Sequence, residues 1–151
     1  MRTFFLIIAA SFSLGKSSCQ NTVSSDSAQL QCNVCRQILY SDTGFIDVII
    51  RINASSLQGI KAGTYAKVQE SIPQGAICDF PVKTNAIATA KGSAVKFLWM
   101  SFPLSNSEVR YRIKLPEIAG TFVISGVFSF VDDQTQIITI PITGDSLIHF
   151  R

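Results

Sequence analysis

Cys32-Asn33-Val34-Cys35 has the two-residue spacing of a redox dithiol or of half a zinc site. A redox dithiol needs a strand before it and a helix after it, so that the helix N-terminus lowers one thiol pKa. Here a polar stretch precedes the motif. Structural zinc takes four ligands. Cys32, Cys35, Cys78 and His149 reach that number only by recruiting the third residue from the end of the sequence. Haem attachment requires a histidine where Arg36 stands. A structural disulfide remains, either Cys32 to Cys35 or one of them to Cys78, and neither a metal nor a cofactor is expected.

Arg110, Arg112 and Lys114 alternate with Val109, Tyr111, Ile113 and Leu115. In an extended chain the three cations share one face. That face suits an anion, such as an acidic glycan or a lipid headgroup. It equally suits the solvated side of an antiparallel strand, where charge discourages edge pairing. No aromatic residue stands on that face, so base stacking is unsupported. His149 is the only histidine, and any Ser-His-Asp or Cys-His mechanism must use it. A tail is a poor place to hold a catalytic base. Asp132-Asp133 lacks the alternating ligands of a calcium loop and reads as a turn. Asn53-Ala54-Ser55 is a glycosylation sequon, meaningful only in a eukaryotic secretory pathway. No catalytic set assembles, and the chain is expected not to be an enzyme.

The elements that would position these residues begin after residue 19. Arg2 opens a short basic segment, and residues 4–14 are apolar apart from small or hydroxyl residues. That run suits a signal peptide and is too short for a membrane span, which needs ~20 residues. Two exits follow. Signal peptidase I cleaves after Cys19, or Ser17-Ser18-Cys19 acts as a degenerate lipobox and Cys19 becomes the lipidated N-terminus; Lys16 stands where a lipobox carries an aliphatic residue. Membrane attachment is therefore expected only through that lipid, and the location is the periplasm, the outer surface or the medium. Removing residues 1–19 takes Lys+Arg from 13 to 11 against 10 Asp+Glu, a net charge of about +1. Such a balance gives no support for nucleic-acid binding, and no nucleic-acid partner is expected.

With 47% hydrophobic and 15% charged residues the rest of the chain supports one packed domain. Residues 20–36 are expected to be a polar linker carrying the Cys-x-x-Cys motif, residues 37–143 the domain, and residues 144–151 a tail. Alternation predicts strands over residues 38–40, 45–53, 64–70, 76–82, 85–90, 95–103, 109–115, 120–131 and 136–142. Turn signals separate them at intervals near those of a β-sandwich. Residues 95–103 are apolar on both sides, with Val95, Phe97 and Trp99 on one and Leu98, Met100 and Phe102 on the other. This reads as the central strand, with Trp99 as a core anchor. Residues 120–131 read as one long strand with Gly126 as a bulge or kink.

Three stretches in order carry a family resemblance: Val68-Gln69-Glu70-Ser71-Ile72-Pro73-Gln74-Gly75-Ala76, Ser93-Ala94-Val95-Lys96-Phe97-Leu98-Trp99, and Glu108-Val109-Arg110-Tyr111-Arg112-Ile113-Lys114-Leu115. The chain resembles the conserved-repeat, Ig-like modules of bacterial surface proteins over about residues 45–142, including single modules exported by Bacteroidota. The asparagine-rich closing strand of the repeats is replaced by Ser125-Gly126-Val127-Phe128-Ser129-Phe130. The resemblance implies an all-β, Ig-like, two-sheet antiparallel sandwich of eight or nine strands and an exported location. It transfers no catalytic residue. The function expected is adhesion or envelope assembly through a protein partner. The alternative is a carbohydrate- or anion-binding module using Arg110, Arg112 and Lys114.

Overall fold

The computed structural model describes residues 33–41 and 44–150. Its strands are β1 (Val34–Tyr40), β2 (Ile46–Ile52), β3 (Ala66–Ser71), β4 (Ile77–Asp79), β5 (Ile87–Lys91), β6 (Ala94–Trp99), β7 (Ser107–Lys114), β8 (Gly120–Val123), β9 (Ser125–Val131), β10 (Ile137–Pro141), β11 (Thr143–Gly144) and β12 (Leu147–Phe150). One short 3-10 turn, Ala54–Ser56, interrupts the loop after β2. One sheet runs β11–β1–β2–β7–β4, a second runs β10–β9–β3–β6–β5, and β8 pairs with β12 as a ribbon. Every pairing is antiparallel except β1 with β11, where Cys35 lies opposite Thr143 and Arg36 opposite Gly144.

The alternation read from sequence is the reason the sheets close on each other. Val48, Ile50 and Ile52 of β2 and Val109, Tyr111 and Ile113 of β7 face Ala66 and Val68 of β3, Val95, Phe97 and Trp99 of β6, and Phe128 and Phe130 of β9. All belong to one buried cluster. Trp99 meets Phe102 edge to face at 5.3 Å and Phe128 at 6.5 Å. Its indole Nε1 donates to Asn85 Oδ1 at 2.9 Å, which satisfies the one polar atom of a side chain that is 1% exposed. Burying each large apolar side chain of this cluster contributes about 1.5–3 kcal/mol.

Several expectations are corrected. The centre of the second sheet is β3, paired on both sides, and β6 lies one strand from the edge. Strand β6 stops at Trp99, Met100 is 70% exposed, and Lys96 points outward. Phe102 reaches the core from a loop, its backbone N–H donating to Thr64 O at 2.8 Å. An apolar run thus served one strand face and a loop anchor rather than two covered faces.

Residues 120–131 are two strands rather than one. The break is at Ile124, fully buried, whose N–H donates to Ser146 O at 2.8 Å. Gly126 is in regular register opposite Glu70, so it is no bulge.

Strand β1 begins at Val34, inside the stretch read as a linker, because Val34, Arg36 and Ile38 alternate into the core. Residues 147–150 form β12 rather than a tail, with Ile148 fully buried. At β1 polar composition hid the alternation; at β12 the turn signal Thr143-Gly144-Asp145 was read as the end of the domain.

Candidate functional site

Between the two sheets lies a charged group that was not expected from the sequence. Arg36 of β1, Glu70 of β3 and Tyr111 of β7 point inward from the two sheets, and each is at most 4% exposed. Glu70 Oε1 accepts Arg36 Nε at 2.6 Å. Arg36 Nη2 lies equally close to the same oxygen but without hydrogen-bond alignment, so charge alone holds it there. Glu70 Oε2 accepts the Tyr111 hydroxyl at 2.5 Å. The remaining guanidinium nitrogen, Nη1, donates to the carbonyls of Ile124 at 3.1 Å and Asp145 at 2.8 Å. Asp145 turns back on β1, its Oδ2 accepting the Ile38 N–H at 2.9 Å.

The electrostatics follow from burial. Desolvation pushes the Glu70 carboxyl above the usual carboxylate value, opposed by the Arg36 charge and by hydrogen bonds from Tyr111 and Arg36. Tyr111 is pushed up as well, first by burial and then by the adjacent Glu70. Two glycines leave room for the arrangement. A Cβ on Gly126 would fall 2.6 Å from Glu70 Cγ and 2.9 Å from the Gln69 carbonyl, and one on Gly144 would collide with the Arg36 carbonyl. Arg36 and Glu70 pair across the gap between β1 and β3, and Tyr111 ties Glu70 to β7, so the group locks the two sheets together.

The basic row sits on the outer face of β7, as its alternation required. Arg112 Nε donates to Asp47 Oδ1 at 3.0 Å, and its guanidinium lies 5.5 Å from the centre of the Phe45 ring. Arg110 lies 3.6 Å from Glu108, which also accepts Arg51 at 3.1 Å. Lys114 is exposed beside Ile77 of β4. Two of the three cations are therefore neutralised by neighbours on the same face. Ile49, the one apolar residue that broke the β2 alternation, stands on this outer face opposite Gln37 and Arg110 and is 2% exposed. Arg51 donates to Gln37 at 2.8 Å, diagonally from it. The stems of such long side chains cover apolar surface while their heads stay in water.

Cys35 is disulfide-bonded and Cys78 is a free thiol, so the pairing of Cys78 with either cysteine of the motif is corrected. Cys78 lies half-buried on β4, opposite Ile113. Burial and then Asp79 push its thiol up to about 11, which leaves it protonated and unreactive near neutrality. Cys19 and Cys32 lie outside the described residues. His149 is on β12 opposite Thr121, with Nδ1 3.1 Å from the threonine hydroxyl. Asp132 closes the β9–β10 turn, Oδ1 accepting the Gln136 N–H at 2.7 Å. The sequon residue Asn53 accepts the Ser55 hydroxyl at 2.7 Å. Among the described residues no group of three or more metal-ligating side chains comes together. No helix among them is long and apolar enough to cross a membrane.

No protein-family model and no curated protein sequence matches the chain. Solved structures do. The collagen-binding domain of the Erysipelothrix rhusiopathiae surface protein RspB is similar at a TM-score of 0.54 and 12% identity, over 78% of this chain and 45% of that one. ACE19, the collagen-binding subdomain of the Enterococcus faecalis surface protein ACE, is similar at a TM-score of 0.50 and 9% identity, over 78% of this chain and 94% of that one. This chain thus spans less than half of the RspB chain and nearly all of ACE19. At such identities the likeness is one of architecture: the chain is an all-β, Ig-like, two-sheet sandwich.

Proposed function

We propose that the chain is an exported, non-enzymatic module that works in adhesion or envelope assembly by holding a protein partner. One observation carries the reading. The sandwich has the architecture of two collagen-binding domains from bacterial surface proteins, over 78% of this chain in each case. The signal-like segment at residues 1–19 supports export, and Cys19 offers the lipid that would tether the module to the envelope. Residues 20–32 then form the spacer between tether and sandwich. Arg36, Glu70 and Tyr111 at the core hold shape rather than substrate. Fold alone does not fix a ligand, so collagen is one probe among several.

The test is solid-phase binding of the chain lacking residues 1–19 to type I collagen and to a panel of bacterial envelope and extracellular-matrix proteins. Saturable binding to at least one protein is expected. Binding to none of them, together with an unprocessed N-terminus in mass spectra of the chain expressed in a bacterium, would overturn the reading. The same spectra decide between lipidated Cys19 and free Gln20.

A further inference from the structure

The two outer faces of the sandwich carry opposite electrostatic designs. On the β1–β2–β7 face Arg51, Arg110 and Arg112 are matched by Glu108 and Asp47, and Lys114 at the end of β7 is in no ion pair among the described residues. On the outer face of β10–β9–β3–β6–β5 stand Lys67, Lys96 and Lys91, staggered across β3, β6 and β5, with Lys67 opposite Leu98, Lys96 between Gln69 and Thr89, and Lys91 opposite Ala94. None of the three belongs to an ion pair among the described residues. The only carboxylate on those five strands is Glu70, turned inward to Arg36 and Tyr111. The next nearest in sequence, Asp132, is tied to the turn beyond β9.

Lysines are often placed on edge strands to block aggregation. That explains Lys91 on β5. It does not explain Lys67 on the central strand or Lys96 beside it, where both backbone edges are already paired. Aliphatic side chains are exposed between and beside the lysines: Ile87 at 55%, Ile137 at 68% and Val127 at 36%. At one end of the face a depression of about 380 Å³ is bordered by the hydroxyl residues Ser71, Ser93 and Ser125. Uncompensated cations with apolar neighbours and open hydroxyls match carboxylates spaced between aliphatic groups.

From this we infer that the outer face of the β3-centred sheet is the docking surface, and that its partner is a protein presenting acidic and aliphatic side chains together. The inference rests on the protein-binding reading and gives it a location and a charge. A polysaccharide carries the charge but not the aliphatic complement.

The probe is a ten-residue peptide alternating glutamate and valine, with a version carrying lysine for glutamate as control. Binding to the chain lacking residues 1–19 is followed by titration calorimetry and by amide chemical shifts. The glutamate peptide is expected to bind, to shift amides of β3, β6 and β9, and to weaken as salt rises. Lys67→Glu/Lys96→Glu should lower its affinity at least tenfold, with Lys67→Gln/Lys96→Gln as the milder pair should the reversal fail to fold. Arg110→Ala/Lys114→Ala should leave it within twofold. No binding, equal binding of the lysine peptide, sensitivity only to Arg110 and Lys114, or displacement by alginate in preference to the peptide would each overturn the assignment. Binding to a protein of the panel that survives Lys67→Glu/Lys96→Glu would also overturn the location, while leaving the protein-binding reading intact.

Discussion

Arg36 and Glu70 join the two sheets of the sandwich through a guanidinium–carboxylate contact of 2.6 Å, with both side chains essentially removed from water. Such a pair is costly to bury and costlier to break, because the surviving charge has no solvent.

Glu70→Gln should therefore lose about 3–5 kcal/mol of unfolding free energy in urea. Arg36→Met/Glu70→Leu, which removes both charges, should be more stable than either single variant. Tyr111→Phe should cost about 1–3 kcal/mol by leaving Glu70 Oε2 without its donor. A double variant no better than Glu70→Gln would show that the pair contributes more than charge compensation.

Gly126→Ala puts a methyl group 2.6 Å from Glu70 Cγ and 2.9 Å from the Gln69 carbonyl, so the neighbours must shift. A loss of about 1–3 kcal/mol is expected, as for an overpacked core. Gly120→Ala is the control: nothing lies within 4 Å of its Cβ, and its melting temperature should stay near that of the parent protein.

The Cys78 thiol lies at about 11 in the folded protein against 9.0 for an unperturbed thiol. The unfolded chain therefore loses this proton first. The stability tied to it is intact below pH 9 and is lost as pH rises toward 11. Cys78→Ala should flatten the alkaline limb of the stability profile over that window. Alkylation of the native thiol by iodoacetamide at pH 8, read by mass spectrometry, should be slower than that of a cysteine peptide.

Asn85→Ala removes the acceptor of the buried Trp99 indole. The expected cost is about 1–3 kcal/mol, the penalty for an unsatisfied buried donor. Tryptophan fluorescence should remain blue-shifted, since the ring stays packed between Phe102 and Phe128.

Much of this architecture was legible because alternation is a direct record of which face is buried. Strand β7 was read with Val109, Tyr111 and Ile113 inward, and all three are at most 1% exposed. Trp99 was read as a core residue and is one. The central charged group was missed because pattern reading treats charge as an outward marker. Yet the signal was there: Ala66 and Val68 form the apolar face of the strand expected over residues 64–70, and the same period puts Glu70 on that face. Arg36 follows from Val34 and Ile38 in the same way. What no period could reveal is strand order. Whether β3 or β6 is central depends on contacts between segments far apart in sequence, and two-sided apolarity in residues 95–103 was a poor substitute for that information.

The parallel pairing of β1 with β11 has a mechanical consequence. In parallel strands the N-terminal end of one and the C-terminal end of the other point in opposite directions. A pull on β1 through residue 33, the side on which any envelope tether would lie, set against a pull on β11 from its far end, slides the strands along each other. The bonds are then strained together rather than peeled one at a time. The Asp145 carbonyl gripping Arg36 and the Asp145 carboxylate gripping the Ile38 N–H reinforce that short clasp across the same few residues. Forced unfolding is set by the rate of crossing such a barrier. A load applied across these two ends would thus be borne at the seam where the first and eleventh strands meet.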